Sequence, residues 1–170
     1  MSDKVLVAYG SKYGATAEIA GRIGEVLGAA GFTVDVLSAD KVRGISSYEA
    51  VVLGSAVYAG SWRKEAAKLL TSEADALAER PVWLFSSGPT GPGDPVQLLN
   101  GWRIPDALRP AAERIKVRDI AVFHGAIDMQ KLSLPERLII KGIKAPAGDF
   151  RDWAAIMAWA EGIARALRPA

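Results

Sequence analysis

The stretch "KVLVAYGSKYGATAEIA", residues Lys4–Ala20, decides the fold. It opens with Val5–Tyr9, an apolar run of strand length that is rich in valine. A loop with glycines and hydroxyl side chains follows at once. Behind the loop, apolar residues recur at helical spacing from Ile19 and stop at Gly31, a residue that favours the end of a helix. The stretch therefore predicts a strand, a tight loop and a helix in immediate succession.

The same alternation of strand and helix continues along the chain. Helical stripes run over Trp62–Leu77 and Trp153–Leu167, and four more apolar runs have strand length: Thr33–Leu37, Val51–Ser55, Val82–Ser86 and Ile120–His124. Such alternation favours right-handed crossovers and a parallel sheet covered on both faces. The polar–apolar pattern of "TVDVL" is typical of an edge strand, whereas "VVLGS" and "VWLFS" are apolar like central strands. We predict one α/β domain over residues 1–170, a three-layer sandwich around a five-stranded parallel sheet of order 2-1-3-4-5.

Composition limits the chemistry. The chain has 170 residues, no cysteine, a single histidine and a formal net charge of +2. The lack of cysteine excludes disulfides, thiolate nucleophiles and zinc–thiolate sites, so we expect no metal and look to a bound cofactor for any redox chemistry. The small net charge argues against nucleic acid as a partner. No apolar run approaches the roughly 20 residues that span a bilayer, so we expect a cytoplasmic protein that at most touches the inner face of a membrane.

Two segments are longer than the minimal plan needs. Residues 88–118 hold five of the nine prolines, so we expect a loop over the first half, with a helix resuming at Pro110–Ile115. Residues 125–152 are far longer than a strand–helix connection requires. Excess length at this edge of a sheet is typical of a binding site.

The loop behind the first strand has the features of a phosphate site. In an open parallel sheet, ligands bind beyond the carboxyl ends of the strands, where the strand order reverses. Ser11, Tyr13 and Thr16 offer hydroxyls there, Gly14 lets the backbone approach closely, and the next helix begins with free N–H groups. The spacing matches neither a nucleotide P-loop nor the three-glycine dinucleotide motif. The structural alternative is a plain strand-to-helix turn.

The pattern Ser-x-Tyr-Gly-x-Thr resembles the FMN-phosphate loop of the flavodoxin family, although Tyr13 stands where that family has a smaller hydroxyl residue. The resemblance covers nearly the whole chain. It implies a flavodoxin-like fold and FMN as cofactor. The residues it implies for the phosphate are Ser11, Lys12, Tyr13, Gly14, Ala15 and Thr16.

The resemblance also implies two loops around the flavin ring. They comprise Ala56, Val57, Tyr58 and Trp62 after the third strand, and Ser86, Ser87, Gly88 and Pro89 after the fourth. Tyr58 and Trp62 fall where flavodoxins place an aromatic ring beside the isoalloxazine. Trp62 has a second interpretation as the first core residue of its helical stripe. His124, at the end of the fifth strand, fits a structural role better than proton exchange with a flavin.

Within this superfamily the chain looks similar to the menaquinone-dependent protoporphyrinogen dehydrogenases. The resemblance rests on "YAG" after strand three, Gly125–Ala126 after strand five, a basic and apolar stretch, and Asp152–Trp153 at the last helix. It implies a small-molecule reductant and a quinone acceptor. Trp102, as a lid or as a residue that pins its loop, and the cationic stripe of Arg137, Lys141 and Lys144 are the substrate candidates.

Two other functions stay open on the sequence alone. The first is an electron carrier that docks on redox-partner proteins, and the second is an interaction domain without flavin. Carriers of the flavodoxin type are usually acidic, whereas the isoelectric point of this chain is near 8.9. The stripe of Arg137, Lys141 and Lys144 is either a solvated face or a surface for acidic groups and anionic lipid. The oligomeric state is open.

Overall fold

The structure is a computed structural model that describes residues 3–168. The strands are β1 (Lys4–Gly10), β2 (Thr33–Ser38), β3 (Ala50–Tyr58), β4 (Ser61–Trp62), β5 (Val82–Ser87), β6 (Asp119–Phe123), β7 (Ala126–Ile127) and β8 (Gly148–Asp149). The α-helices are α1 (Ala15–Ala29), α2 (Lys64–Ser72), α3 (Ala74–Leu77), α4 (Pro95–Leu98), α5 (Arg109–Ile115), α6 (Leu134–Gly142) and α7 (Trp153–Leu167).

The central sheet confirms the predicted topology. Its parallel strands lie in the order β2-β1-β3-β5-β6, which is the predicted 2-1-3-4-5 order of the long strands. The strand predicted at the edge, β2, pairs only with β1, and the fully apolar strands β3 and β5 lie inside the sheet. The order reverses between β1 and β3, so a crevice forms beyond the carboxyl ends of these two strands.

Two apolar cores cover the two faces of the sheet. On one face, Val5, Val7 and Val52 pack against α1 and α7 through residues such as Ile19 and Ile156. On the other face, alternate strand residues pack against α2, α3 and α5; this core includes Leu6, Ala8, Leu53, Leu70, Leu77 and Ile115. Alternate side chains of a strand point to opposite faces, which explains the division. The result is the three-layer sandwich that the alternation predicts.

The start of the second helical stripe differs from the prediction. Trp62 does not begin a helix: it ends a short hairpin in which β4 runs antiparallel to β3, and α2 begins at Lys64. The two residues between the strands, Ala59 and Gly60, have φ angles of 50° and 76°. Positive φ at both central residues is the geometry of a tight two-residue hairpin turn. The sequence pattern of alternating strands and helices does not predict this hairpin.

The proline-rich segment also contains more regular structure than its prolines suggest. The one-turn helix α4 begins at Pro95, and the Asp94 side chain accepts the backbone N–H of Val96. Proline is well suited to the first position of a helix because its missing N–H would have no partner there. The predicted helix at Pro110–Ile115 is present as α5.

The long segment after β6 folds as a small unit of its own. Its ends pair as the antiparallel ribbon β7–β8, and α6 lies between them. A capping box starts α6: the Ser133 hydroxyl accepts the N–H of Glu136, and the Glu136 carboxylate accepts the N–H of Ser133. Among the helices of residues 3–168, none has the length and hydropathy needed to cross a bilayer.

Candidate functional site

The loop from Ser11 to Gly14 joins β1 to α1 at the crevice. Gly14 has a φ angle of 96°, which an L-residue with a side chain adopts only under strain. Its N–H donates to the Ser11 hydroxyl at 3.1 Å, and its carbonyl accepts the first helical N–H, that of Glu18. The backbone N–H groups of Ala15, Thr16 and Ala17, in the first turn of α1, have no acceptor within the helix. These N–H groups and the positive end of the helix dipole suit an anion.

Two side chains of this loop contact the carboxylate of Glu136. Lys12 Nζ stands 3.1 Å from Oε2 of Glu136 on α6, and the Tyr13 hydroxyl donates to the same oxygen. Hydrogen bonds from Tyr13, from the Ser133 capping box and from Lys12 lower the pKa of Glu136 to about 2. The hydrogen bonds to Tyr13 and Glu136 raise the pKa of Lys12. The outer side of the loop therefore binds a negative charge in this structure.

The hydroxyl of Thr16 lies beneath the loop. Thr16 and Ser87 are both buried, and their hydroxyl oxygens stand 3.4 Å apart. Ser87 ends β5, so this contact joins the loop after β1 to the loop after β5. Two of the three loops assigned to the flavin site thus meet through buried hydroxyls.

The hairpin of β3 and β4 presents Tyr58 at the crevice. The Tyr58 side chain is 39% exposed, and its ring meets that of Tyr13 edge to face, with the centroids 6.5 Å apart. Partial burial is the main cause of the raised pKa of Tyr58. Of the two aromatic candidates, Tyr58 is the one at the surface of the site.

Trp62 needs a correction, because its side chain lies in the core and cannot stack on a ligand at the surface. It is 6% exposed, and its indole N–H donates to the Ser86 hydroxyl at 2.9 Å. Ser86 in turn donates to the carbonyl of Arg103 at 2.6 Å, which ties the end of the proline-rich loop to the core. Ala56 is also buried, and Val57 pairs with Trp62 across the hairpin. The core interpretation of Trp62 is the one that fits.

The loop after β5 is held by β6 and by the residues that follow it. The N–H of Gly88 donates to the carbonyl of Phe123, and that of Gly125 donates to the carbonyl of Pro89. His124 is buried, and its two ring nitrogens face two backbone carbonyl oxygens: Nδ1 is 2.9 Å from that of Pro89 and Nε2 is 2.6 Å from that of Gly93. His124 therefore has the structural role expected from its place in the strand.

A cleft of about 730 Å³ lies beside this histidine. One wall is the proline-rich loop at Gly91–Pro95, and the other is the stretch Phe150–Trp153 that leads into α7. Arg151 is fixed in that wall by Asp149 and Glu18, and its guanidinium lies 4.8 Å from the centroid of the Trp153 ring. This cleft lies between the proline-rich loop and the start of the last helix, and no residue of the loop from Ser11 to Gly14 lines it.

The substrate candidates are only partly brought together. Glu136 brings α6, which carries Arg137 and Lys141, to the phosphate loop, and Lys144 follows the helix. Arg137 donates to the carbonyl of Met129 at 2.8 Å, and both lysines are exposed. Trp102 is half-buried, and within residues 3–168 its side chain has no hydrogen bond or ring contact with these cations or with the phosphate loop.

Sequence reasoning missed Glu136. The spacing Ser133-x-x-Glu136 is the sequence pattern of a capping box, so it could have predicted the start of a helix at this position. The signal predicts only the local cap, however, and the contact with Tyr13 joins residues 123 positions apart.

The residues at the crevice fit the phosphate and ring of FMN. The loop offers N–H groups, hydroxyls and an ammonium, and two of its side chains already hold a carboxylate. Tyr58 offers an aromatic surface that is neither buried nor fully solvated. Within the described range 3–168, no cluster of acidic, histidine or cysteine side chains has the arrangement of a metal site.

Comparisons with known proteins agree with this geometry. The fold is similar to rubredoxin:oxygen oxidoreductase from Desulfovibrio gigas (TM-score 0.63, 16% identity), with 98% of this chain and 36% of that one covered. It is similar to a flavodoxin from the domain Archaea (TM-score 0.62, 15% identity) and to a mutant flavodoxin from Pseudomonas aeruginosa (TM-score 0.59, 19% identity), each with 97% of this chain and 99% of that one covered.

These identities show the fold alone, and the chain spans about a third of the length of the Desulfovibrio protein. No curated protein matches the sequence. The family comparison goes further, because the flavodoxin domain matches residues 6–153. The chain therefore belongs to the flavodoxin domain family, whose members bind FMN and transfer electrons.

Proposed function

We propose that this flavodoxin domain is an FMN-dependent oxidoreductase that passes electrons from a reduced, carboxylate-bearing small molecule to a quinone, as a protoporphyrinogen dehydrogenase does. In each cycle two electrons and two protons leave the substrate, and one quinone becomes a quinol. Bound FMN supplies the two-electron relay. The phosphate belongs to the loop from Ser11 to Thr16, and Tyr58 lies beside the ring.

The observation that carries the proposal is the position of α6. The contacts of Glu136 with Lys12 and Tyr13 hold a segment rich in cations against the edge of the flavin site. An enzyme must enclose its substrate and place complementary charges at the rim, whereas a carrier leaves its flavin edge open to a partner protein. Arg137, Lys141 and Lys144 supply positive charge for substrate carboxylates.

The second candidate is an electron carrier without a small substrate of its own. The observation that favours it is full-length similarity to small flavodoxins, which this chain covers to 99% of their length. The exposed Tyr58 at the hairpin corner would then lie at a docking surface for a redox partner.

The test is anaerobic turnover of the FMN-loaded chain with protoporphyrinogen and a soluble menaquinone analogue, followed by the fluorescence of the porphyrin product. We expect turnover that is lost when Arg137, Lys141 and Lys144 are changed together to glutamine, with the flavin retained. The matched control changes three exposed cations on α2 and α5, Lys68, Arg109 and Arg114, to glutamine, and should keep activity. Rapid electron exchange with a flavodoxin reductase and no turnover would instead favour the carrier.

A further inference from the structure

Helix α6 turns its apolar side outward. Leu134, Leu138, Ile139 and Ile143 are 69%, 62%, 61% and 67% exposed, although a surface helix normally buries such residues. We call these four side chains the outward apolar face. Positions 134 and 138 lie one turn apart, as do 139 and 143, and successive residues lie about 100° apart around the axis, so the face consists of two apolar stripes that together cover the outer half of the helix.

Polar contacts on the inner side hold the helix in this orientation. Glu136 accepts hydrogen bonds from Lys12 and Tyr13, and Arg137 donates to the carbonyl of Met129. A helix rotated to bury Leu134 and Leu138 would lose the hydrogen bonds of Glu136 and Arg137. The outward apolar face is therefore a fixed feature of the fold.

Positive charge borders this face. Lys131, Lys141 and Lys144 are exposed, and within residues 3–168 no carboxylate lies within ion-pair distance of Lys141 or Lys144. The one acidic residue of the helix, Glu136, is turned inward to Lys12. An occupant of this face must therefore be apolar at its centre and anionic around it.

We propose that the outward apolar face and its lysines seat the protein on the surface of an anionic lipid bilayer. Leucine and isoleucine side chains enter the boundary between headgroups and acyl chains, while the lysines meet lipid phosphates. Four aliphatic side chains offer a few hundred Å², whereas a stable protein complex buries about 800 Å² on each partner. A bilayer needs no matching surface. That the contact brings the flavin edge to a lipid-dissolved quinone rests on the proposed function; the contact itself does not.

The experiment uses the absence of cysteine from the chain. Leu138→Cys places a single thiol on the face, which is labelled with an environment-sensitive fluorophore; Leu98→Cys, at a residue 45% exposed on α4, is the matched control. We expect a blue shift of the first label with vesicles of phosphatidylglycerol and phosphatidylcholine, and none with phosphatidylcholine alone. The Leu98→Cys label should not respond to either vesicle.

Co-sedimentation measures the strength of the contact. Changing Leu138, Ile139 and Ile143 together to glutamine should reduce partition onto the anionic vesicles by about tenfold or more, while Leu98→Gln should not change it. Lys141→Gln with Lys144→Gln should cost about fivefold for each lysine and weaken the salt dependence. Circular dichroism of each variant checks that the fold is kept.

Three results would overturn the proposal. One is no binding of the unmodified chain to anionic vesicles at low salt; another is equal binding to neutral vesicles. The third is a label that shifts without vesicles while light scattering finds a dimer, which would assign the face to a second copy of the chain. All measurements are made without substrate or quinone, on flavin-loaded and flavin-free protein. Vesicle binding without turnover would keep this inference and reject the proposed enzyme, and turnover without vesicle binding would do the reverse.

Discussion

Gly125 lies directly against the backbone of Gly88: a Cβ atom on Gly125 would stand 3.1 Å from the Cα of Gly88 and 3.2 Å from its carbonyl oxygen. The two glycines belong to the loops that follow β6 and β5, and the neighbouring hydrogen bond from the Gly125 N–H to the Pro89 carbonyl measures 3.0 Å. The close approach of these backbones sets the spacing of the two loops at the crevice.

Gly125→Ala should therefore lower the free energy of unfolding by about 1–3 kcal/mol, because backbone atoms cannot give way as a flexible side chain can. Urea denaturation of the flavin-free protein measures the change. Gly28→Ala is the matched control: this α1 glycine has open space around it, and alanine there should stabilise the helix by about 0.5–1 kcal/mol. Equal effects of the two substitutions would contradict the close packing of the loops.

The phosphate loop should supply much of the affinity for FMN. Thr16→Ala and Ser11→Ala each remove a hydroxyl, and a hydrogen bond to a charged group contributes about 1.5–3 kcal/mol. We expect the Kd for FMN to rise about 10- to 150-fold in each variant, measured by flavin fluorescence quenching. Thr71→Ala, which removes a hydroxyl bonded only to carbonyls of its own helix, should leave the Kd unchanged. Unchanged affinity in both loop variants would place the phosphate elsewhere.

Tyr58 and Trp62 should differ in their effect on the flavin. An electron-rich ring in an apolar contact disfavours the anionic reduced flavin, so Tyr58→Ala should raise the potential of the second electron. Trp62→Phe should leave both potentials in place and lower stability by about 1 kcal/mol through the lost bond to Ser86. Redox titration and urea denaturation of the two variants separate these effects. A potential shift in Trp62→Phe as large as that in Tyr58→Ala would mean that the buried tryptophan reaches the flavin.

The contact of Glu136 should make part of the stability dependent on pH. Its pKa falls from an ordinary 4.5 to about 2 in the folded protein, so its contribution is complete above pH 4.5 and is lost as the pH falls through about 2. Glu136→Gln lacks this contribution at every pH. The difference in unfolding free energy between the two proteins should therefore be largest at neutral pH and shrink toward pH 2. Asp152→Asn, at the cap of α7, serves as a comparison with a carboxylate that contacts neither Lys12 nor Tyr13. A difference that stays constant with pH would show that the partners of Glu136 do not lower its pKa in the folded protein.

The sheet could be predicted because each strand carries its own signal. The runs beginning at Val5, Val51 and Val82 are apolar over strand length, and their alternation with helices restricts the topology to very few choices. The hairpin at Trp62 could not be predicted in the same way. A tryptophan followed by Ala66, Leu69 and Leu70 fits a helical stripe, and only the pairing with Val57 shows that Trp62 belongs to a strand.

The site was predictable where it is local and not where it is assembled. The loop from Ser11 to Thr16 is one continuous motif, so the pattern of residues suffices to place it beyond β1. The meeting of Glu136 with Lys12 depends on how a distant segment folds back, and no spacing in the sequence encodes it. The outward side of α6 is similar: periodicity finds the apolar stripe, but only the fold decides which way it faces.

His124 gives the molecule a reporter that needs no label. It is the single histidine of the chain, so its imidazole contributes one isolated set of proton resonances to an NMR spectrum. Its two nitrogens lie against carbonyls of Pro89 and Gly93, in the proline-rich loop that follows β5. Any shift of this loop moves these carbonyls and so changes the surroundings of the two ring nitrogens. Ligand arrival at the crevice is thus readable from a single residue in unmodified protein.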